Sequence, residues 1–119
     1  MEYTKLGTVE SRFADLIWAN APVATAVLVK LAKERLDWKR PTTYTVLKRL
    51  CEGGLFDLTE GTVTALVSRE EFYERQSREY VRKAFDGSLP AFVAAFSRTS
   101  KLKPEDIEAL QKLIDESRR

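Results

Sequence analysis

The stretch Arg40 to Ser68 reads RPTTYTVLKRLCEGGLFDLTEGTVTALVS. It holds a helix start, a helix stop and a hairpin, in that order. Proline is tolerated at the first helical position, because that N–H has no intrahelical partner. Pro41 therefore predicts the start of a helix, and Gly53-Gly54 predicts its end. Thr43, Val46, Leu47 and Leu50 recur at i, i+3, i+4 and i+7, which makes them an inward stripe. Thr42, Tyr44, Thr45, Lys48 and Arg49 are left on the outer side. Packing requires only the inward residues, so the outer ones need another explanation. Beyond the glycines, LFDLT and TVTALV flank Glu60-Gly61. Two β-type runs around a two-residue turn predict a tight hairpin.

Two helices are expected upstream. Val9, Phe13, Leu16 and Ile17 share one stripe, which predicts a helix over Val9 to Ala19 with Thr8 as N-cap. Asn-Ala-Pro at 20–22 ends it. A second helix is predicted from about Ala24 to Leu36, with Ala24, Val27, Leu28 and Leu31 inward and Thr25 as a candidate cap. Two helices joined by a short turn, the second basic and followed by a β-wing, are the order of a winged helix-turn-helix.

The remainder is helical. Ser68-Arg-Glu-Glu71 fits a capping box and opens an amphipathic helix to about Phe85. Asp-Gly-Ser at 86–88 breaks it. LPAFVAAFS predicts a short apolar helix. LKPEDIEALQKLIDESRR predicts a last one, with acids in its first turn as the helix dipole prefers. These helices carry more apolar surface than they can cover alone, and a symmetric dimer is the simplest remedy. The expected dimer residues are Phe72, Tyr80, Phe85, Phe92, Phe96, Ile107, Leu110, Leu113 and Ile114. The fold class is thus mainly α. A winged helix-turn-helix domain with a small β-hairpin wing is expected over 1–67, and a helical dimerisation region over 68–119.

Composition narrows the function. The chain has 119 residues and no histidine, the commonest general base and metal ligand. Ser-His-Asp and Cys-His pairings cannot be built within it, so neither an enzyme nor a metal or cofactor site is expected. The single Cys51 excludes an internal disulfide and fits a reducing cytosol. The segment MEYTKLGTVESRF lacks an apolar signal core, and no run is long enough to span a membrane. Net charge is only +2, but its distribution is uneven. Lys30 to Arg49 holds seven basic and two acidic residues, a local +5. Leu50 to Glu74 holds one basic and six acidic, a local −5. A local basic excess is what a polyanion meets.

The segments LGTVESRFADLIWANAP, TTYTVLKRLCEGGLF, LVSREEFYERQ, FDGSLPAFVAAF and LKPEDIEALQKLIDE fall in one order along the chain. Together they resemble the penicillinase-repressor family of bacterial transcription regulators (BlaI/MecI type, with copper-responsive CopY relatives). The resemblance implies an N-terminal winged helix on an operator in double-stranded DNA and a C-terminal region that forms a homodimer. It also implies a membrane sensor-protease system that leads to repressor cleavage. The bond matching the family's cleaved one is Ala95–Phe96. The family's asparagine there is replaced by Ala95, the hairpin tip carries no Lys or Arg, and the CopY-type cysteine pairs are absent.

On this reading, Thr42 and Thr45 would meet phosphates or thymine methyls, and Tyr44 either. Lys48 and Arg49 would reach guanine or backbone, and Lys39 and Arg40 phosphates. Lys30, Lys33 and Arg35 are read as solubilising charges, Cys51 as a small buried hydrophobe, and Trp18 and Trp38 as packing anchors. The rival reading is a helical protein-interaction module that kept the fold and lost DNA binding. The short wing, with no Lys or Arg at its tip, and the acidic stretch after Leu50 motivate it.

Overall fold

The computed structural model describes residues 6–119. The start of the segment read as lacking a signal core, residues 1–5, lies outside them. The described chain runs α1 (Thr8–Asn20), β1 (Val23–Ala24), α2 (Thr25–Leu36), α3 (Arg40–Glu52), β2 (Phe56–Thr59) and β3 (Thr62–Ala65). It continues with α4 (Arg69–Phe85), α5 (Leu89–Thr99) and α6 (Pro104–Ser117). The helix-turn-helix with a β-wing and the C-terminal helices are those expected. The chain divides into two compact units at Gln76/Ser77, a point inside α4.

Helix starts differ by a residue from the sequence reading. Gly7, in extended conformation, precedes α1, so Thr8 is its first helical residue and not its cap. Ala24 caps α2, which makes Thr25 the first residue of that helix. Lys39 caps α3, and Arg40 is inside the helix, one position before Pro41. The inward faces of α1 and α2 are also rotated. Phe13, Ala14 and Ile17 are buried on α1, and Leu28 and Ala32 on α2, while Val9 and Val27 are half exposed. Ala14 and Ala32 are fully buried, and small side chains of this kind let helices approach closely.

The end of α3 is a Schellman motif. Leu55 N–H donates to the Leu50 carbonyl at 3.2 Å, and Gly54 N–H to the Cys51 carbonyl at 3.1 Å. Gly54 takes φ +86°, a left-handed conformation that glycine alone enters without steric penalty. Leu50 and Leu55 are both fully buried and supply the apolar contact that accompanies this cap. We expect Gly54→Ala to lower stability by about 1 kcal/mol, read as a fall in thermal midpoint; an unchanged midpoint would refute the strain account.

The hairpin turn has φ +51° at Glu60 and +73° at Gly61, the left-handed pair that matches strand twist. β3 is the central strand of a three-stranded antiparallel sheet ordered β1-β3-β2. The two residues of β1 were not anticipated. Val23 pairs with Val63, and both are buried. The amide of Thr25 donates to the carbonyl of Gly61 at 2.9 Å, so the first residue of α2 is bonded to the wing turn.

The core of the first unit gathers around Trp18. Its ring lies 5.2 Å from Phe56, 5.6 Å from Phe72 and 6.2 Å from Tyr73. Its indole N–H donates to the Val67 carbonyl at 2.9 Å. Trp38 packs on Phe13 at 5.0 Å beside the turn between α2 and α3. Both tryptophans are packing anchors, as expected. Phe72 corrects the sequence reading. It was placed in a dimer core, yet it is 1% exposed and belongs to the core of this unit. The start of α4 returns to α1 and carries it there. Arg69 Nε donates to Asp15 at 2.9 Å, and the Arg69 guanidinium lies over the Tyr73 ring at 4.7 Å.

The second unit has no fully buried side chain. Tyr80, Phe85 and Phe92 form a ring cluster with centroids 5.5–6.1 Å apart. The capping box at Ser68 is present, with the Glu71 amide donating to Ser68 Oγ at 3.0 Å. Ser88 caps α5 through the Ala91 amide at 3.1 Å.

Candidate nucleic-acid interface

Three turns of α3 decide what this surface offers. Thr43, Leu47 and Leu50 are buried against α1, α2 and the sheet. This leaves Thr42, Thr45, Lys48 and Arg49 exposed, with Lys39 and Arg40 exposed at the helix start. All seven residues read as DNA contacts lie on or at the start of one helix.

They are not equivalent. Thr45 Oγ1 donates to the Pro41 carbonyl at 2.9 Å, and the hydroxyl oxygen keeps its capacity to accept. Tyr44 is only half exposed. Its phenol is held below the ordinary tyrosine pKa, chiefly by a hydrogen bond with the Thr25 side chain. Desolvation opposes that shift and the Arg40 guanidinium adds to it. Arg40 also lies over the Tyr44 ring, 5.6 Å from its centroid. Tyr44 therefore ties α3 to the start of α2 and steadies Arg40. Arg49 forms an ion pair with Glu10 of α1. Among the described residues, no carboxylate pairs with Lys39, Arg40 or Lys48.

Tyr44, Lys48, Cys51, Asp57 and Leu58 line a shallow groove between α3 and the wing. The Cys51 thiol is pushed above its usual pKa by burial, and further by Asp57 and Glu52. It stays protonated at neutral pH and packs against the core, as a small hydrophobe does. The wing carries Asp57 and Glu60, and the Thr59 hydroxyl donates to Asp57 at 2.6 Å. Acidic groups there repel a phosphate backbone, so the wing adds nothing to the cationic surface of α3. Lys30, Lys33 and Arg35 are exposed on α2.

This geometry is a basic, hydroxyl-bearing helix held rigidly on a small winged scaffold. A penicillinase-repressor family profile matches residues 6–116. The chain belongs to the penicillinase repressor family. It is 24% identical over 116 residues to a penicillinase repressor of Bacillus licheniformis, covering 94% of this chain and 91% of that one. It is 20% identical over 115 residues to the methicillin resistance regulatory protein MecI of Staphylococcus aureus, covering 93% and 94%. A MecI of Mammaliicoccus sciuri shares 19% identity over 115 residues. The family carries the name of the penicillinase repressor, and the similarity spans both units of this chain. Among the described residues, no helix is long and apolar enough to cross a membrane.

The remaining predicted residues lie in the second unit. Tyr80 and Phe96 are 57% exposed, and Ile107, Leu110, Leu113 and Ile114 are 37–59% exposed. The last four line one side of α6 and leave an exposed apolar stripe there. Phe85 and Phe92 are half buried in the ring cluster. Ala95 and Phe96 sit inside α5, with Phe96 turned outward. Sequence reasoning missed Glu10 and Thr25. Each becomes significant only through a partner distant in the chain.

Proposed function

We propose that the protein is a homodimeric, sequence-specific DNA-binding repressor acting on a near-palindromic operator. The exposed α3 face of Thr42, Thr45 and Lys48, continued by Lys39 and Arg40, carries this reading. Such a helix fits the major groove, with its polar side chains at base edges and its N-terminal cations at phosphates. Two-fold symmetry gives two half-sites, and an occupied operator blocks the promoter. The apolar stripe on α6, with Tyr80 and Phe96, supplies the dimer face. Release by proteolysis at Ala95–Phe96 would separate α6 from the rest of the chain and so undo the dimer. The bond lies in regular helix, so cleavage would require α5 to unwind locally.

The test is fluorescence anisotropy over a salt series. The probes are the DNA upstream of the coding region and a scrambled duplex. Each phosphate contact contributes about 0.9 to the salt slope. Lys48→Ala removes one contact per subunit, so the dimer's slope should fall by roughly 1.8 if Lys48 meets phosphate. If it meets a base instead, discrimination should fall by about 1–3 kcal/mol per half-site. A folded, dimeric Lys48→Ala protein with unchanged affinity and slope would remove this face from the reading. If neither duplex nor any selected random DNA binds, the interaction module favoured by the acidic wing takes its place.

A further inference from the structure

We infer that Glu10 limits the protein's affinity for DNA by holding Arg49 in an ion pair across α1 and α3, an inference that rests on the DNA-binding reading above. Arg49 is the last basic residue of α3 and lies on the exposed side of that helix. Its side chain is 54% exposed, within reach of a passing phosphate, yet its guanidinium is engaged by the Glu10 carboxylate. Glu10 is 24% exposed and sits in the first turn of α1, where the helix dipole favours a carboxylate. The carboxylate is thus the better placed partner, and it leaves the pair with no net charge to offer a polyanion.

The consequence concerns affinity for DNA of any sequence. A free arginine on this flank would attract any DNA backbone, because phosphate contacts carry no sequence information. Neutralising it lowers affinity for every duplex and leaves Thr42, Thr45 and Lys48 to decide which sequence is bound. Glu10 therefore sets the sequence-independent part of the affinity, acting through Arg49, and touches no base itself.

The experiment compares wild type, Glu10→Gln and the double variant Glu10→Gln, Arg49→Gln by anisotropy, against operator and scrambled duplex across a salt series. Glu10→Gln should raise the salt slope by about 0.9 per subunit and tighten scrambled-DNA binding roughly eightfold per subunit near 0.1 M salt. The double variant should return to the wild-type slope, since the charge withdrawn and the charge restored are both absent. A Glu10→Gln slope equal to wild type would overturn the inference. So would a double variant whose slope drops below wild type, because Arg49 would then already be meeting phosphate. If Glu10→Gln does not fold, the double variant alone decides by that same comparison. If wild type itself shows no salt-dependent DNA binding, the underlying DNA reading fails instead, and the two failures are distinct.

Discussion

Replacing Leu110 and Leu113 together by glutamate should convert the protein to a monomer and weaken operator binding by roughly 10²–10⁴-fold, the range over which linking two sites raises avidity. Both side chains lie on the exposed apolar stripe of α6, about one turn apart, and neither is buried within its own chain. The substitutions should therefore leave the fold of a single chain intact. Two like charges set into the proposed dimer face must be desolvated without a partner, which opposes assembly. Each winged helix would then meet its half-site alone, and the gain from tethering the second would be lost. Sedimentation at several concentrations reads the assembly state, and anisotropy with whole and half operators reads the avidity. A variant that stays dimeric would place the interface elsewhere. A monomer that keeps full affinity would make dimerisation irrelevant to binding.

Phe72→Ala should lower the stability of the first unit by about 3–5 kcal/mol, the usual effect of emptying a buried phenylalanine site. Phe72 is 1% exposed and packs against Trp18 and Tyr73. Its removal opens a cavity beneath the start of α4, between side chains already in van der Waals contact. The rings of Trp18 and Phe56 are held by other neighbours and cannot collapse fully into the space. A loss of this size is a large share of the stability of a small domain. Chemical denaturation at two protein concentrations distinguishes this core role from a dimer role. The loss should be the same at both concentrations. A loss that shrinks as concentration rises would return Phe72 to the interface.

These two predictions treat residues that look alike in the sequence. Phe72 and Leu113 are both apolar residues on amphipathic helices of the C-terminal half, and periodicity assigns both to a buried face. It does not say against what that face is buried. The same gap explains Val9 and Val27, which belong by hydrophobicity to inward stripes and are half exposed in the fold. It also explains β1. A two-residue strand has too few positions to show an alternation, and Val23 becomes a strand residue only because Val63 is there to pair with.

The sequence by itself determined the order of elements, because each boundary has a local physical cause. Pro41 fixes an early helical φ, Gly54 accepts a left-handed turn, Ser68 and Glu71 satisfy each other's amides, and Glu60-Gly61 closes a two-residue hairpin. Those causes act within about four residues, so they are legible in any single sequence. The outer face of α3 was legible for the same reason, since Thr42, Tyr44, Thr45, Lys48 and Arg49 are what remains when the inward stripe is removed. The tertiary structure alone decided which of these residues remain free to meet a partner. Arg49 is taken by Glu10, Tyr44 by Thr25 and Phe72 by Trp18. Each pairing joins different elements, and it forms only after the chain has folded back on itself.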